Sequence, residues 1–298
     1  MNKPVETTTL TGAEAVAEML KLHGVEVVFG LCGDTSLPLY DAFRSSSLRH
    51  ILTRDERHAA YMADGYARVS GRVGVCEGPS GGGATYILPG LVEANESSIP
   101  VLAINTDISV SSRGKFTLTE LDQKSLFKPL TKWNAVLDRA ADIPKTFRDA
   151  FQAMTTGRAG SAHIALPFDV QNGPVERSDV WGDPTYGRFP SRRVAPDPQY
   201  VDLAAKLLRK AKNPLFICGG GVVLSGAEQE LQELAEKLNA PVATTVSGKG
   251  SIDETSPFSV GVVGSNGGTP ETRALVDAAD VIVFVGCRAG SVTTERWR

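Results

Sequence analysis

The sequence predicts an α/β protein: a parallel sheet covered on both faces by helices, followed by a second, incomplete α/β unit of Rossmann-like rhythm. Two observations carry this. Short β-branched runs alternate with segments of helical period along most of the 298 residues, and parallel neighbours require crossover connections of that kind. Hydrophobic residues make up 42% and charged residues 22% of the chain, a composition that builds a buried core and excludes global disorder.

The elements follow in order. Thr11-Gly-Ala-Glu14 has the form of a capping box, and Ala15, Val16, Met19, Leu20 and Leu22 then recur at helical spacing up to Gly24. Val25-Glu-Val-Val-Phe29 is a short β-branched and aromatic run ended by the turn region 30–33, so it is a buried strand. The alternation continues with helix over 37–44, strand over 50–53, helix over 56–69, strand over 73–76, helix over 84–96 and strand over 101–105. A further helix is predicted over 143–155 and a further strand over 161–166, before Pro167.

Next comes a stretch with no sustained period, punctuated by Pro174, Pro184, Pro190, Pro196 and Pro198. It separates a first domain over 1–182 from a second over 199–298, with 183–198 as linker. Beyond it the strand–helix rhythm resumes: helix 200–211, strand 215–218, helix 227–238, strand 242–245, helix 271–278 and strand 281–285. Val281-Ile-Val-Phe-Val285 has no polar residue, as a strand buried on both faces should, yet only thirteen residues follow it, so either its edge is covered by something else or the remaining strands belong to another polypeptide. The expectation is a missing half, supplied by a partner chain or lost by truncation.

Charge and cysteine usage exclude several classes. Lys and Arg number 31 against 34 for Asp and Glu, a net charge of −3 with no basic run, so nucleic acid is not an expected partner. Cys32, Cys76, Cys218 and Cys287 lie far apart without a C-x-x-C pair, and the amino terminus has no apolar leader core, which points to a reduced, cytoplasmic setting. No apolar run approaches the ~20 residues of a membrane span.

The most informative segment is Thr53-Arg-Asp-Glu-Arg-His-Ala-Ala-Tyr-Met-Ala-Asp-Gly-Tyr-Ala-Arg68. It sets Glu56 at a strand-to-helix junction, where the carboxyl edge of a parallel sheet forms ligand crevices. A glutamate there also complements the helix dipole, and spacing alone leaves both roles open. Ser80-Gly-Gly-Gly-Ala-Thr85 precedes a helix and serves either as a tight turn or as an anion-binding loop. His58 is either a local proton donor or a histidine on a helix face. Cys218-Gly-Gly-Gly221 suggests a dinucleotide loop, but Leu224 occupies the third glycine position of G-x-G-x-x-G, which leaves a turn.

The residue string resembles the pyrimidine-binding domain of thiamine-diphosphate enzymes in the acetolactate synthase family. The likeness runs through Thr11-Gly-Ala-Glu, Gly24-Val-Glu-Val-Val-Phe-Gly30, Leu37-Pro-Leu-Tyr-Asp41, His50-Ile-Leu-Thr-Arg-Asp-Glu56, Ala63-Asp-Gly-Tyr-Ala-Arg68 and Val73-Gly-Val-Cys76. It continues through 80–85, Pro129-Leu-Thr-Lys132 and Leu166-Pro-Phe-Asp-Val-Gln171, and the region after the linker is similar to the start of the same family's central domain. The resemblance implies that Glu56 hydrogen-bonds N1′ of the aminopyrimidine and thereby activates the thiazolium carbon, which calls for a desolvated carboxyl group able to share its proton. It implies a coenzyme-facing turn at Gly30, Cys32, Gly33 and Asp34, and coenzyme contacts at Gly82 and Tyr86. It places His58, Leu118 and Thr119 on the substrate side.

The chain departs from the family's usual pattern at defined places. Cys32-Gly33-Asp34 replaces Pro-Gly-Gly, Gly82 replaces proline, Tyr86 replaces asparagine, and Leu118 and Thr119 replace the Phe and Gln of the loop over 116–122. Substrate choice therefore does not transfer. The Gly-Asp-Gly…Asn motif that places Mg²⁺ on the coenzyme diphosphate is missing, because Gly33-Asp34 is followed by Thr35 and Gly182-Asp183 by Pro184. The resemblance thus implies thiamine diphosphate and Mg²⁺ with the metal ligands on a partner chain, in a homo- or hetero-oligomer acting on a small 2-oxo acid or acyloin. FAD is possible in the second domain but has no motif behind it. The alternatives are a noncatalytic binding or regulatory subunit and a truncated full-length enzyme.

Overall fold

The computed structural model describes residues 8–297; the start of the amino terminus, used above to argue against a leader, lies outside them. The chain divides into two compact units, one up to Arg192 and one from Arg193 onward.

In the first unit, β1 (Thr9–Thr11) leads into α1 (Gly12–Leu22). The predicted capping box closes α1: the Glu14 N–H donates to Thr11 Oγ1 at 3.2 Å, and the Thr11 N–H donates to the Glu14 carboxylate at 2.8 Å. The order continues β2 (Val27–Gly30), α2 (Leu37–Arg44), β3 (Arg49–Leu52), α3 (Glu56–Ser70), β4 (Gly74–Gly78), α4 (Gly82–Tyr86), α5 (Leu88–Glu96) and β5 (Val101–Asp107). Then come α6 (Gln123–Phe127), β6 (Trp133–Val136), α7 (Ile143–Thr155), β7 (Ala162–Pro167), α8 (Phe168–Asn172) and β8 (Pro174–Glu176). Six strands form one parallel sheet in the order β3-β2-β4-β5-β7-β6. Its central strands β4, β5 and β7 are buried along their whole length, which is the burial a parallel sheet between two helical layers imposes. One core packs α1, α2 and α7 on the sheet through Met19, Leu20, Leu39, Phe147 and Phe151.

Three differences from the sequence expectation have local causes. The helix predicted over 84–96 is two, broken at Ile87, because Pro89 brings no N–H to continue the hydrogen-bond ladder. β1 and β8 pair antiparallel as a separate ribbon of three residues each, too short to show a period. The expected linker 183–198 is partly absorbed into the first unit: Phe189 is buried, and the Val73 N–H donates to the Gly187 carbonyl at 3.0 Å.

The second unit runs α9 (Pro198–Leu208), β9 (Pro214–Cys218), α10 (Gly220–Ser225), α11 (Glu228–Leu238), β10 (Val242–Thr244), β11 (Ser259–Val262), α12 (Pro270–Ala278) and β12 (Val281–Val285). Its parallel sheet has the order β11-β10-β9-β12. β9 and β10 are buried, whereas β12 is an outer strand with Ile282 and Phe284 exposed. The turn over 218–221 uses its own donors: the Gly219 N–H bonds the Val285 carbonyl and the Gly221 N–H the Gly286 carbonyl, both at 2.9 Å. No helix among the described residues is long and apolar enough to cross a membrane.

Candidate active site

The carboxyl ends of β2, β4 and β5 meet the amino end of α3, and most of the expected site residues gather there. Asp55 caps α3, accepting the Arg57 N–H at 2.8 Å, with the Arg57 guanidinium doubling the contact. Those hydrogen bonds from Arg57 hold the Asp55 carboxyl down to about 2. The cap fixes the next residue, Glu56, in the first turn of α3, where it is buried. Its side chain lies over Gly78: a Cβ on Gly78 would stand 3.3 Å from Glu56 Cγ and 3.1 Å from Asn105 Nδ2, so glycine is what admits both groups to the end of β4. Among the described residues no hydrogen bond or ion pair engages the Glu56 carboxylate.

The loop after β2 forms a second wall. A Cβ on Gly30 would sit 2.9 Å from both Glu77 Oε2 and the Tyr40 hydroxyl, so a bare backbone is needed to accommodate a carboxyl group at the end of β4. Gly33 is seated against the Pro79 ring, while Cys32 and Asp34 are exposed. Partial desolvation of the sulfur, followed by the charges of Glu77 and Asp34, pushes the Cys32 thiol up from its ordinary value.

A third wall is the loop over 79–81 with α4. Gly82 and Tyr86 are exposed, and the Arg57 guanidinium lies 6.0 Å from the centre of the Tyr86 ring. Of the three residues expected on the substrate side, Thr119 alone joins this assembly through a side-chain contact, a hydroxyl–hydroxyl bond of 2.8 Å to Ser80. Leu118 is solvent-facing in the same loop, and His58 is exposed on α3.

Sequence reasoning missed the most deeply buried charged side chain of the site. Glu77, within β4, is fully buried; Ser36 Oγ donates to its Oε1 at 2.5 Å and the Tyr40 hydroxyl to its Oε2 at 2.7 Å. Burial pushes its carboxyl up to about 8, the hydroxyl donors pull the other way, and the nearby Glu56 charge adds to the rise. The signal was a charged residue directly following the apolar run 73–76, which reads as a strand end. Asn105, also missed, donates from Nδ2 to the Gly78 carbonyl at 3.2 Å while its buried Oδ1 has no partner among the described residues, nor does the buried Thr53 hydroxyl. Behind β5, the buried His163 ring stacks 3.5 Å from Phe127 and bonds the Gln123 carboxamide at 3.1 Å, and burial lowers its pKa to about 3.

The unengaged Glu56 carboxyl, a donor when it holds its proton, and the unpaired Asn105 Oδ1, an acceptor, fit the ring nitrogen and amino group of an aminopyrimidine. They do not constitute a metal centre: among the described residues no group of three or more His, Cys, Asp or Glu side chains could hold an ion.

The fold and candidate site define a parallel-sheet α/β protein with a cluster of buried polar groups at its strand ends, built around a helix-terminal glutamate. Comparison with known proteins specifies the family. The profile described as "Thiamine pyrophosphate enzyme, N-terminal TPP binding domain" matches residues 10–126, and that of the thiamine pyrophosphate enzyme central domain matches residues 201–298. The chain is 41% identical over 281 residues to a probable acetolactate synthase large subunit of Methanocaldococcus jannaschii, covering 94% of this chain and 47% of the relative. It is 37% identical to an acetolactate synthase of Arthrospira platensis, over 94% of this chain and 49% of that protein. Against an acetolactate synthase large subunit of Corynebacterium glutamicum the identity is 36%, with 94% and 44% covered. The chain belongs to the acetolactate synthase-like thiamine pyrophosphate enzymes, and it spans about half the length of the curated relatives it matches.

Proposed function

We propose that this chain is the pyrimidine-binding component of a thiamine-diphosphate-dependent C–C lyase or carboligase acting on 2-oxo acids or acyloins. The observation that carries the reading is Glu56, buried at the amino end of α3 with its carboxylate unengaged and its stem packed over Gly78. Bound thiamine diphosphate would supply a nucleophilic carbon and an electron sink. Glu56 would hold a proton at the ring nitrogen it faces. Gly30, Cys32, Gly33, Asp34, Gly82 and Tyr86 would line the ring, and Thr119, His58 and Leu118 would meet the substrate. In this proposal 1–182 is the pyrimidine-binding domain and 199–298 the first part of the central domain. The diphosphate and its Mg²⁺ would be held by a region bearing Gly-Asp-Gly, on a partner chain of a cytoplasmic oligomer.

The half-length coverage of the relatives favours a second version, in which that region belongs to the same polypeptide. The native mass separates the two: a stoichiometric second chain supports the partner, a single polypeptide of double length supports one continuous enzyme. The role of Glu56 is tested by Glu56→Gln in the complete assembly. Turnover and coenzyme C2 proton exchange should both fall by about 10²–10⁴, the usual worth of a positioned acid–base group, while the coenzyme still binds. Unchanged exchange would remove the assignment and favour a noncatalytic subunit of the same fold.

A further inference from the structure

Glu77 has no part in that proposal, yet it anchors a continuous line of hydroxyl groups. From its Oε1 the line passes to Ser36 Oγ at 2.5 Å, Thr106 Oγ1 at 3.1 Å, Thr35 Oγ1 at 2.7 Å, Ser80 Oγ at 3.3 Å and Thr119 Oγ1 at 2.8 Å. It starts at the fully buried end of β4 and finishes on the exposed loop over 116–122.

Proton counting makes this line directional. A hydroxyl has one proton to donate. With the carboxylate ionised, Ser36 donates to it, Thr106 to Ser36, Thr35 to Thr106, Ser80 to Thr35 and Thr119 to Ser80, so every hydroxyl points inward. The Ser80 N–H also donates to Thr35 Oγ1, at 3.2 Å, which ties the two segments together in either state. With Glu77 protonated, its O–H supplies Ser36 instead and every hydroxyl points one step outward, so the five links close in either direction and the carboxyl proton selects which. Tyr40 donates to the other carboxyl oxygen in either state.

We propose that Glu77 is a proton-holding positioning residue for the site: gain or loss of its carboxyl proton reverses the hydroxyl line and decides whether Thr119 offers the pocket mouth a donor or an acceptor. No bond between heavy atoms changes: the carboxyl O–H bond breaks or forms, its proton passes to or comes from solvent water, and the hydroxyls rotate. The ionisable groups facing Glu77 are Tyr40 from α2, Cys32 from the loop after β2, Glu56 from α3 and Cys76 from its own strand. Desolvation raises the Tyr40, Cys32 and Cys76 groups above their ordinary values, and the Glu56 charge opposes the ionisation of Glu77.

The inference rests on the proposed function only in calling the Thr119 loop the substrate side, and its test needs no coenzyme. In the 298-residue chain, the Thr119 methyl resonance is followed by NMR from pH 5 to 10. The wild type should show one step with a midpoint near 8, where the Glu77 carboxyl ionises. Glu77→Gln should abolish the step. Thr106→Val, which keeps the shape and deletes the hydroxyl, should abolish it too, whereas Thr106→Ser should restore it. A wild-type resonance that does not titrate, or a step that persists in Glu77→Gln, overturns the proposal. Should the valine variant fail to fold, the glutamine and serine variants decide alone. Failure of the Glu56 experiment leaves this outcome untouched, and the reverse holds.

Discussion

The two parallel sheets share an architecture and differ at their carboxyl ends. In the first unit those ends gather Glu56, Glu77, Asn105 and a line of hydroxyls, all supported by strands without solvent contact. In the second the equivalent edge is a glycine turn whose N–H groups are spent on Val285 and Gly286, and the outer strand β12 carries exposed Ile282 and Phe284. One scaffold thus serves two ends: polar groups can be held unpaired or strongly perturbed only where surrounding packing is deep enough to fix them.

Three perturbations would break or sharpen this contrast. The largest effect should come from Phe151→Ala, since Phe151 is fully buried on α7 and its ring stacks on His23 at 4.2 Å. A loss of about 3–5 kcal/mol is expected in the urea transition of the first unit, with the second unit's transition unmoved. Glu77 should give the next effect. Its carboxyl ionises at about 8 in the fold against an ordinary 4.5. The folded state therefore holds the proton longer, and the stability it contributes is complete below about 4.5 and lost as pH rises through 8. Urea titrations of the first unit should lose stability by roughly 1.4 kcal/mol per pH unit across that window, and Glu77→Gln should flatten the slope. The smallest effect should follow Phe284→Ala on β12, about 1–2 kcal/mol in the second unit, because 36% of that residue is already in water. A cost equal to that at Phe151 would mean that β12 is covered and that the contrast fails.

The parts legible in the sequence are those written in contiguous residues. The capping box of α1, the apolar run of β2 and the Asp55-Glu56 entry to α3 each announce themselves within a few positions. The site was legible to the same extent: Glu56 and the turn glycines stand in local strings. Glu77 was not, because a charged residue followed by glycine reads as the end of a strand, and only neighbouring strands and α2 convert it into a buried acid. The hydroxyl line was still less accessible. Thr35, Ser36, Ser80, Thr106 and Thr119 come from four separate segments, and no period links them; proximity arises from the strand order β2-β4-β5.

His163 and Glu77, on β7 and β4 of the same sheet, pull on the fold from opposite sides of the pH scale. The histidine resists protonation down to about 3 from an ordinary 6.5, so its contribution is intact above 6.5 and drains away under acid. The glutamic acid drains away under base. Between roughly pH 4.5 and 6.5 the opposing slopes offset each other, giving the interior a buffered plateau with a shoulder falling off at either end.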